Sequence, residues 1–202
     1  MASERPNIQF VQNEVVRITV PFFDGTKTTY LTGDISATGT TLTVKTNVGF
    51  SNNDYLCLED VGNQKAEIVK IGAAVTAGTS LTISACVFPH STGCKVTLMK
   101  YNQVGAYQSS TATDTVPTII GSLENIDVAR GYNEIKDSSA HNYYYAKYYN
   151  SQTASYSSLS DSVASSGLTS NSRGEIKKEF LSIYIEKIDD LITDDWLNRA
   201  IN

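Results

Sequence analysis

The chain has 202 residues, enough for one large core or two small ones, and two small ones is the expectation. Only 18% of the residues are charged and the formal net charge is -5, with no Lys/Arg cluster, which argues against nucleic-acid binding; the acidic excess is too dilute to imply a cationic substrate. Ser, Thr, Asn and Tyr fill the surface instead, the usage of an all-β protein, because Thr, Tyr and Val fit a pleated, half-buried face.

The first fifteen residues mix charges with isolated apolar residues, so no signal peptide is expected, and no apolar run is long enough for a membrane helix. Residues 1–26 contain one alternating stretch, EVVRITVPFF, ended by Pro21 and the Asp24-Gly25 turn. Proline has no N–H to give, so this strand is placed at a sheet edge or as an arm on a neighbour. Residues 27–102 read as a small β-barrel or sandwich. TTYLTG, TTLTVKT, DYLCLED, KAEIVKIGAAV, TSLTISACV and CKVTLMKY are separated by turn residues at regular spacing, too close together for a crossover helix. In DYLCLED, Tyr55, Cys57 and Glu59 oppose Leu56 and Leu58. Ile68 and Ile71 break strict parity, which points to a bulge near Lys70 or to a strand that changes sheets. Lys65 and Glu67 read as part of a solvated face.

Residues 103–166 form a second, sandwich-like β module, and its most distinct strand lies in HNYYYAKYYNSQTASY, which holds six of the twelve tyrosines. Period two puts Tyr144, Ala146 and Tyr148 on one face, the expected core side. Tyr143, Tyr145, Lys147 and Tyr149 fall on the other, so Tyr143, Tyr145 and Tyr149 are the candidate surface aromatic face, open to a protein partner or a glycan. A Ser-rich stretch then passes through a last short strand into a linker at 167–174.

Residues 175–202 read as a C-terminal amphipathic helix. Ser172 and Glu175 make a capping box, and Ile176, Phe180, Tyr184, Ile188 and Leu191 recur at steps of four and three. Trp196, Leu197 and Ile201 continue the apolar face beyond a second helix start at Thr193. This stripe is the candidate partner interface, for a second copy of the chain or for a neighbouring protein.

No catalytic constellation is recognisable: the histidines, His90 and His141, sit in turn-like contexts, and there is no phosphate loop or metal-protease spacing. No enzyme activity and no cofactor are therefore expected. Cys57, Cys86 and Cys94 read as reduced, strand-buried thiols, with Cys86 to Cys94 the one local disulfide candidate. Without a CxxC and with two histidines, a zinc site is not expected.

Two stretches carry a resemblance. TTLTVKTNVGFSNNDYLCLEDVGNQKAEIVKIGAAVTAGTSLTIS is similar to segments of tailed-phage virion structural proteins, in which a short strand, a Gly-Phe turn, an apolar strand and a Gly-Asn-x-x-x-Glu-Ile hairpin follow in this order. YYYAKYYNSQTASYSSLSDSV resembles the end of a fibronectin type III-like or related sandwich module, although the chain's one tryptophan, Trp196, lies outside that region. Together they imply a head, neck, collar or fibre component of a phage particle. Such a protein would reside in the virion after assembly in the bacterial cytoplasm, with itself and other virion proteins as partners and with no nucleic acid or membrane. A glycan- or host-surface-binding adhesin is the alternative.

Overall fold

The computed structural model describes residues 5–11, 15–21 and 27–165. Among them the chain is all β, with fifteen short strands in four antiparallel sheets and no helix. In chain order the strands are β1 (Ile8–Phe10), β2 (Val15–Thr19), β3 (Thr28–Tyr30), β4 (Thr41–Thr43), β5 (Tyr55–Leu58), β6 (Glu67–Lys70), β7 (Ser80–Thr82) and β8 (Lys95–Met99). There follow β9 (Gln103–Ser109), β10 (Thr118–Ile119), β11 (Glu124–Asn125), β12 (Tyr132–Lys136), β13 (Tyr143–Asn150), β14 (Ser155–Tyr156) and β15 (Val163–Ala164). The described residues belong to one compact unit, Met1–Ser165. The 167–174 linker and the 175–202 helix lie outside the described residues.

All six strands expected between residues 27 and 102 form, and their alternation explains how they pack. Sheet β3-β8-β5-β6 is covered on both faces. On β5, Leu56 and Leu58 point into one core while Tyr55 and Cys57 point into another; on β8, Val96 and Leu98 oppose Met99; on β6, Val69 opposes Ile68. The sheet is thus a wall between two cores. One core is closed by the small β4-β7 sheet, through Leu42, Val44, Leu81 and Ile83. The other is closed by sheet β1-β2-β12 and by the β9-β13 pair, through Val16, Ile18, Ile135, Val104, Ala106, Tyr144 and Tyr148. Ile68 and Ile71 break parity because both sides of the sheet are apolar. The β6 register against β5 runs unbroken from Glu67 to Lys70, and Ile71 then bridges Ile83 across to the neighbouring sheet.

The strand expected at an edge lies in the middle of its sheet: β2 pairs with β1 on one side and with β12 on the other. Pro21 permits this because it falls two residues beyond Thr19, the last ladder position, where its missing N–H removes no strand hydrogen bond. Through Ile8, Val16 and Ile18, β1 and β2 thus belong to the second module's core and are not a free arm.

The tyrosine strand divides as period two requires on its inner side. Tyr144, Ala146 and Tyr148 are buried, with Ala146 opposite Ala106 and Tyr148 opposite Val104 on β9. The two inner tyrosines also reach across the core. Tyr148 donates its hydroxyl to the Thr19 carbonyl at 2.7 Å, and Tyr144 stacks on Phe10 and donates to Asp137 at 3.1 Å. The serines beyond the strand have a related duty. The Tyr148 amide donates to Ser157 Oγ and the Ala146 amide to Ser160 Oγ, while the Ser157 and Ser160 amides donate back to the carbonyls of Tyr148 and Ala146. Between the two-residue strands β14 and β15, two serines thus cover an edge that would otherwise leave buried amides unpaired.

Because β5 and β8 serve both cores, the cores should melt together. Leu56→Ala on one side of the wall and Ile18→Ala in the opposite core each empty a fully buried position and should each cost about 2–5 kcal/mol. Both should shift one cooperative calorimetric transition; a variant that splits it into two would show that the cores are independent.

Candidate functional site

Among the described residues, a dense group of chemically capable side chains sits where the Val87–Gly93 turn folds onto the wall sheet. The His90 backbone pairs with Ile35 through two hydrogen bonds of 2.9 Å, and Thr92 gives its amide and hydroxyl to Asp34 at 2.7 and 2.9 Å. Gly93 turns the chain back at a φ of 89°, which a side chain would resist. Held in this way, the His90 side chain is fully buried.

Both ring nitrogens of His90 face carboxylates. Nε2 is 2.8 Å from Glu67 Oε1 and Nδ1 is 3.1 Å from Glu59 Oε1. Glu67 further accepts the amides of Val87 at 2.8 Å and Phe88 at 3.0 Å, so it ties the turn to β6. Glu59, just after β5, adopts a left-handed conformation, φ 70°, a geometry that costs a non-glycine residue about 1–3 kcal/mol, and its carboxylate faces the imidazole. For both contacts to be hydrogen bonds, the three groups must hold two protons between them, leaving one net negative charge. Glu67 is therefore a buried anchor and not part of a solvated face with Lys65.

Cys86 and Cys94 flank this triad. The carboxylate, thiol and ring-nitrogen atoms of Glu67, Cys86 and His90 lie within 4.8 Å of one another, and so do those of Glu59, His90 and Cys94. All three cysteines are free and buried. Burial pushes the Cys57 thiol up to about 12, Cys86 to about 11 and Cys94 to about 12; Asp60, Glu67 and Glu59 respectively add repulsion of the thiolate. The expectation of reduced, buried thiols agrees with this arrangement. The expectation of no zinc site rested on the absence of a CxxC and on there being two histidines, and local pattern did not show that residues 87–90 fold onto Glu59 and Glu67. The legible signal was the spacing of Cys86, His90 and Cys94 at four-residue steps.

A second histidine site lies at the far end of β13. His141 Nδ1 and the Tyr144 hydroxyl both bond Asp137 Oδ2, and the Ser139 amide bonds its other oxygen. Burial of Asp137 would raise its carboxyl, but these three donors together outweigh that and hold it below the usual range. The nearby Ser109 hydroxyl donates to Asp114 at 2.6 Å, so it is directed at a carboxylate and not at the His141 ring.

The outer face of β13 differs from a continuous tyrosine ladder. Tyr145 is buried, with its hydroxyl on the Thr111 carbonyl at 2.7 Å, because the segment between β9 and β10 folds over it. Tyr143 and Tyr149 are half-buried. Tyr149 packs against Tyr156 with ring centroids 4.5 Å apart, and the Lys147 ammonium lies 5.9 Å from the Tyr156 ring and 5.4 Å from Tyr107. Lys147 faces Gly105, where a Cβ would meet Leu123 Cδ2 at 2.9 Å, so a side chain at this point of β9 would require Leu123 to shift. The accessible aromatic surface is thus Tyr149 and Tyr156, with Tyr143 at the other end of the strand. Ile176, Phe180, Tyr184, Ile188, Leu191, Trp196, Leu197 and Ile201 lie outside the described residues.

Comparison of the chain with protein-family models, with curated proteins and with solved structures gave no match.

Two outcomes follow from the site's electrostatics. A thiol of pKa about 11 is ionised to roughly one part in a thousand at pH 8, so a thiol-alkylating reagent should modify none of the three cysteines in the native chain and all three in denaturant; fast native labelling at any of them, read by mass spectrometry, would contradict the assignment. Asp137→Asn should destabilise the fold by about 1–3 kcal/mol at pH 7. Because the folded carboxyl is depressed, that difference is full above the unfolded value of about 3.9 and should vanish as pH falls through the lower folded value. Denaturant titration of both proteins from pH 7 to pH 2 checks it, and a difference that persists at the acid end would contradict it.

Proposed function

We propose that this chain is a structural component of a tailed-phage virion, self-associating and attaching to neighbouring virion proteins at the head, neck or collar, or fibre. The observation that supports it best is the shared wall: two cores built on one sheet give a compact block, suited to transmitting load. Among the described residues, His90 and the three thiols are buried, and the partly exposed His141 is engaged by a carboxylate. His90 sits between two carboxylates, and His141 is hydrogen-bonded to Asp137. A catalyst needs such groups to converge on an accessible reacting atom. The stripe that the sequence pattern predicts over Ile176, Phe180, Tyr184, Ile188, Leu191, Trp196, Leu197 and Ile201 would supply apolar area for assembly, each large side chain contributing about 1.5–3 kcal/mol when buried.

The compact unit ends at Ser165, which sets the experiment. The full chain should run as an oligomer in size-exclusion with light scattering, whereas a chain ending at Ser165 should keep its β-type circular dichroism and run as a monomer. Monomers in both cases would refute the role given to the C-terminal segment. The adhesin reading draws on the Lys147, Tyr149 and Tyr156 cluster, since aromatic faces beside a cation can stack on sugar rings. Glycan-array binding that is lost in Tyr149→Ala and Tyr156→Ala would favour it over the virion reading.

A further inference from the structure

We propose that Glu67, Cys86 and His90 form a binding site for a divalent transition-metal ion of the zinc class, with Glu59 as the carboxylate that orients the histidine. The proposal is independent of the virion reading. Three different donors, a carboxylate oxygen, a sulfur and an imidazole nitrogen, converge within 4.8 Å, and all three residues are buried. Around a tetrahedral zinc ion such donors stand roughly 3.3–3.7 Å apart, given metal–ligand bonds of about 2.0–2.3 Å. The 2.8 Å approach of Nε2 to Glu67 Oε1 therefore has to open by less than about 1 Å to admit the ion.

The surroundings match what such a ligand set requires. A metal-bound histidine usually gives its other ring N–H to a carboxylate, which fixes the tautomer and the ring plane; Glu59 stands 3.1 Å from Nδ1 in that place. Glu67 is likewise oriented by the Val87 and Phe88 amides. The donor set selects the metal class, since a thiolate and an imidazole suit zinc or its transition-metal neighbours and not calcium or magnesium.

Charge balance agrees. With both triad contacts made as hydrogen bonds and the Cys86 thiol protonated, the group without an ion would carry one net negative charge. A divalent ion entering between Glu67, Cys86 and Nε2 displaces two protons, one from the Glu67–His90 contact and one from the thiol, and leaves that net charge unchanged. The exchange thus adds no unpaired charge to a buried site, which would otherwise oppose binding strongly. The alternative set on the Nδ1 side, Glu59 with Cys94, includes the more exposed carboxylate and would leave Nε2 on Glu67 as the orienting bond. One imidazole cannot coordinate through one nitrogen and be oriented through the same one, so the two sets are exclusive and Cys94 serves as the control.

The test uses the untagged full-length chain, stripped with a chelator and reloaded with zinc or cobalt(II). About one equivalent should survive desalting. The cobalt form should show sulfur-to-cobalt charge-transfer absorption in the near ultraviolet. Cys86→Ser should abolish that absorption, Glu59→Gln should weaken retention about 10- to 100-fold as loss of an orienting carboxylate does, and Cys94→Ser should leave both intact. In the wild-type chain, needing no variant to fold, the thermal midpoint should rise with zinc and return with chelator. Absence of a retained equivalent, an unmoved midpoint, or charge-transfer absorption that depends on Cys94 and not on Cys86 would overturn the assignment.

Discussion

Strands β5 and β8 bury side chains on both faces, and the rest of the fold depends on that. An antiparallel sheet usually shows one face to water, and its strands alternate accordingly. Here Leu56, Leu58 and Val96 fill one core while Cys57 and Met99 fill the other, so removing either neighbour would expose a hydrophobic surface. The N-terminal strand, the tyrosine strand and the β4-β7 sheet are each positioned by the need to cover this wall. The polar ties between the β13–β14 turn and the wall follow it too: the Tyr55 hydroxyl meets Ser151 Oγ at 2.7 Å and Lys70 Nζ meets Gln152 at 2.6 Å.

The inner tyrosines show how a polar atom can specify a core. Tyr144 and Tyr148 contribute large rings to the apolar interior, yet each hydroxyl ends on a fixed acceptor in or beside the β1-β2-β12 sheet. A phenylalanine would fill much the same space but would leave Asp137 and the Thr19 carbonyl with one donor fewer, a loss that is costly where water cannot replace it. The sheets are therefore held in one register by hydrogen bonds that tolerate little sliding. Ser157 and Ser160 complete the same logic at the edge of β13, where hydroxyls supply hydrogen bonds that a longer strand would otherwise provide.

Local pattern made much of this legible. The six strands between residues 27 and 102 and the inner face of the tyrosine strand follow from period two and from turn residues, signals contained within a few positions. What the sequence hid was long-range. The place of β2 depends on β12, more than a hundred residues away, and Pro21 misdirected the reading because its distance from the ladder is not visible in a one-dimensional pattern. Tyr145 looked exposed because nothing local shows that the chain after β9 folds back over it. The His90 site was hidden for the same reason: its carboxylates come from just after β5 and from the start of β6, and each looks like an ordinary surface acid when read alone.

The two-faced sheet also joins the chemistry to the mechanics. Glu59 follows one wall strand, Glu67 begins another, and His90 clamps the turn that closes one of the cores, so the site stabilises the block from its interior. Native-state hydrogen exchange measured residue by residue is the most direct test of the shared wall. Amides of β5 and β8 should exchange only through global unfolding, with the same opening free energy as those of β9 and β13. If β5 and β8 instead open together with β4 and β7 while β9 and β13 stay protected, the wall belongs to one core alone and the account is contradicted.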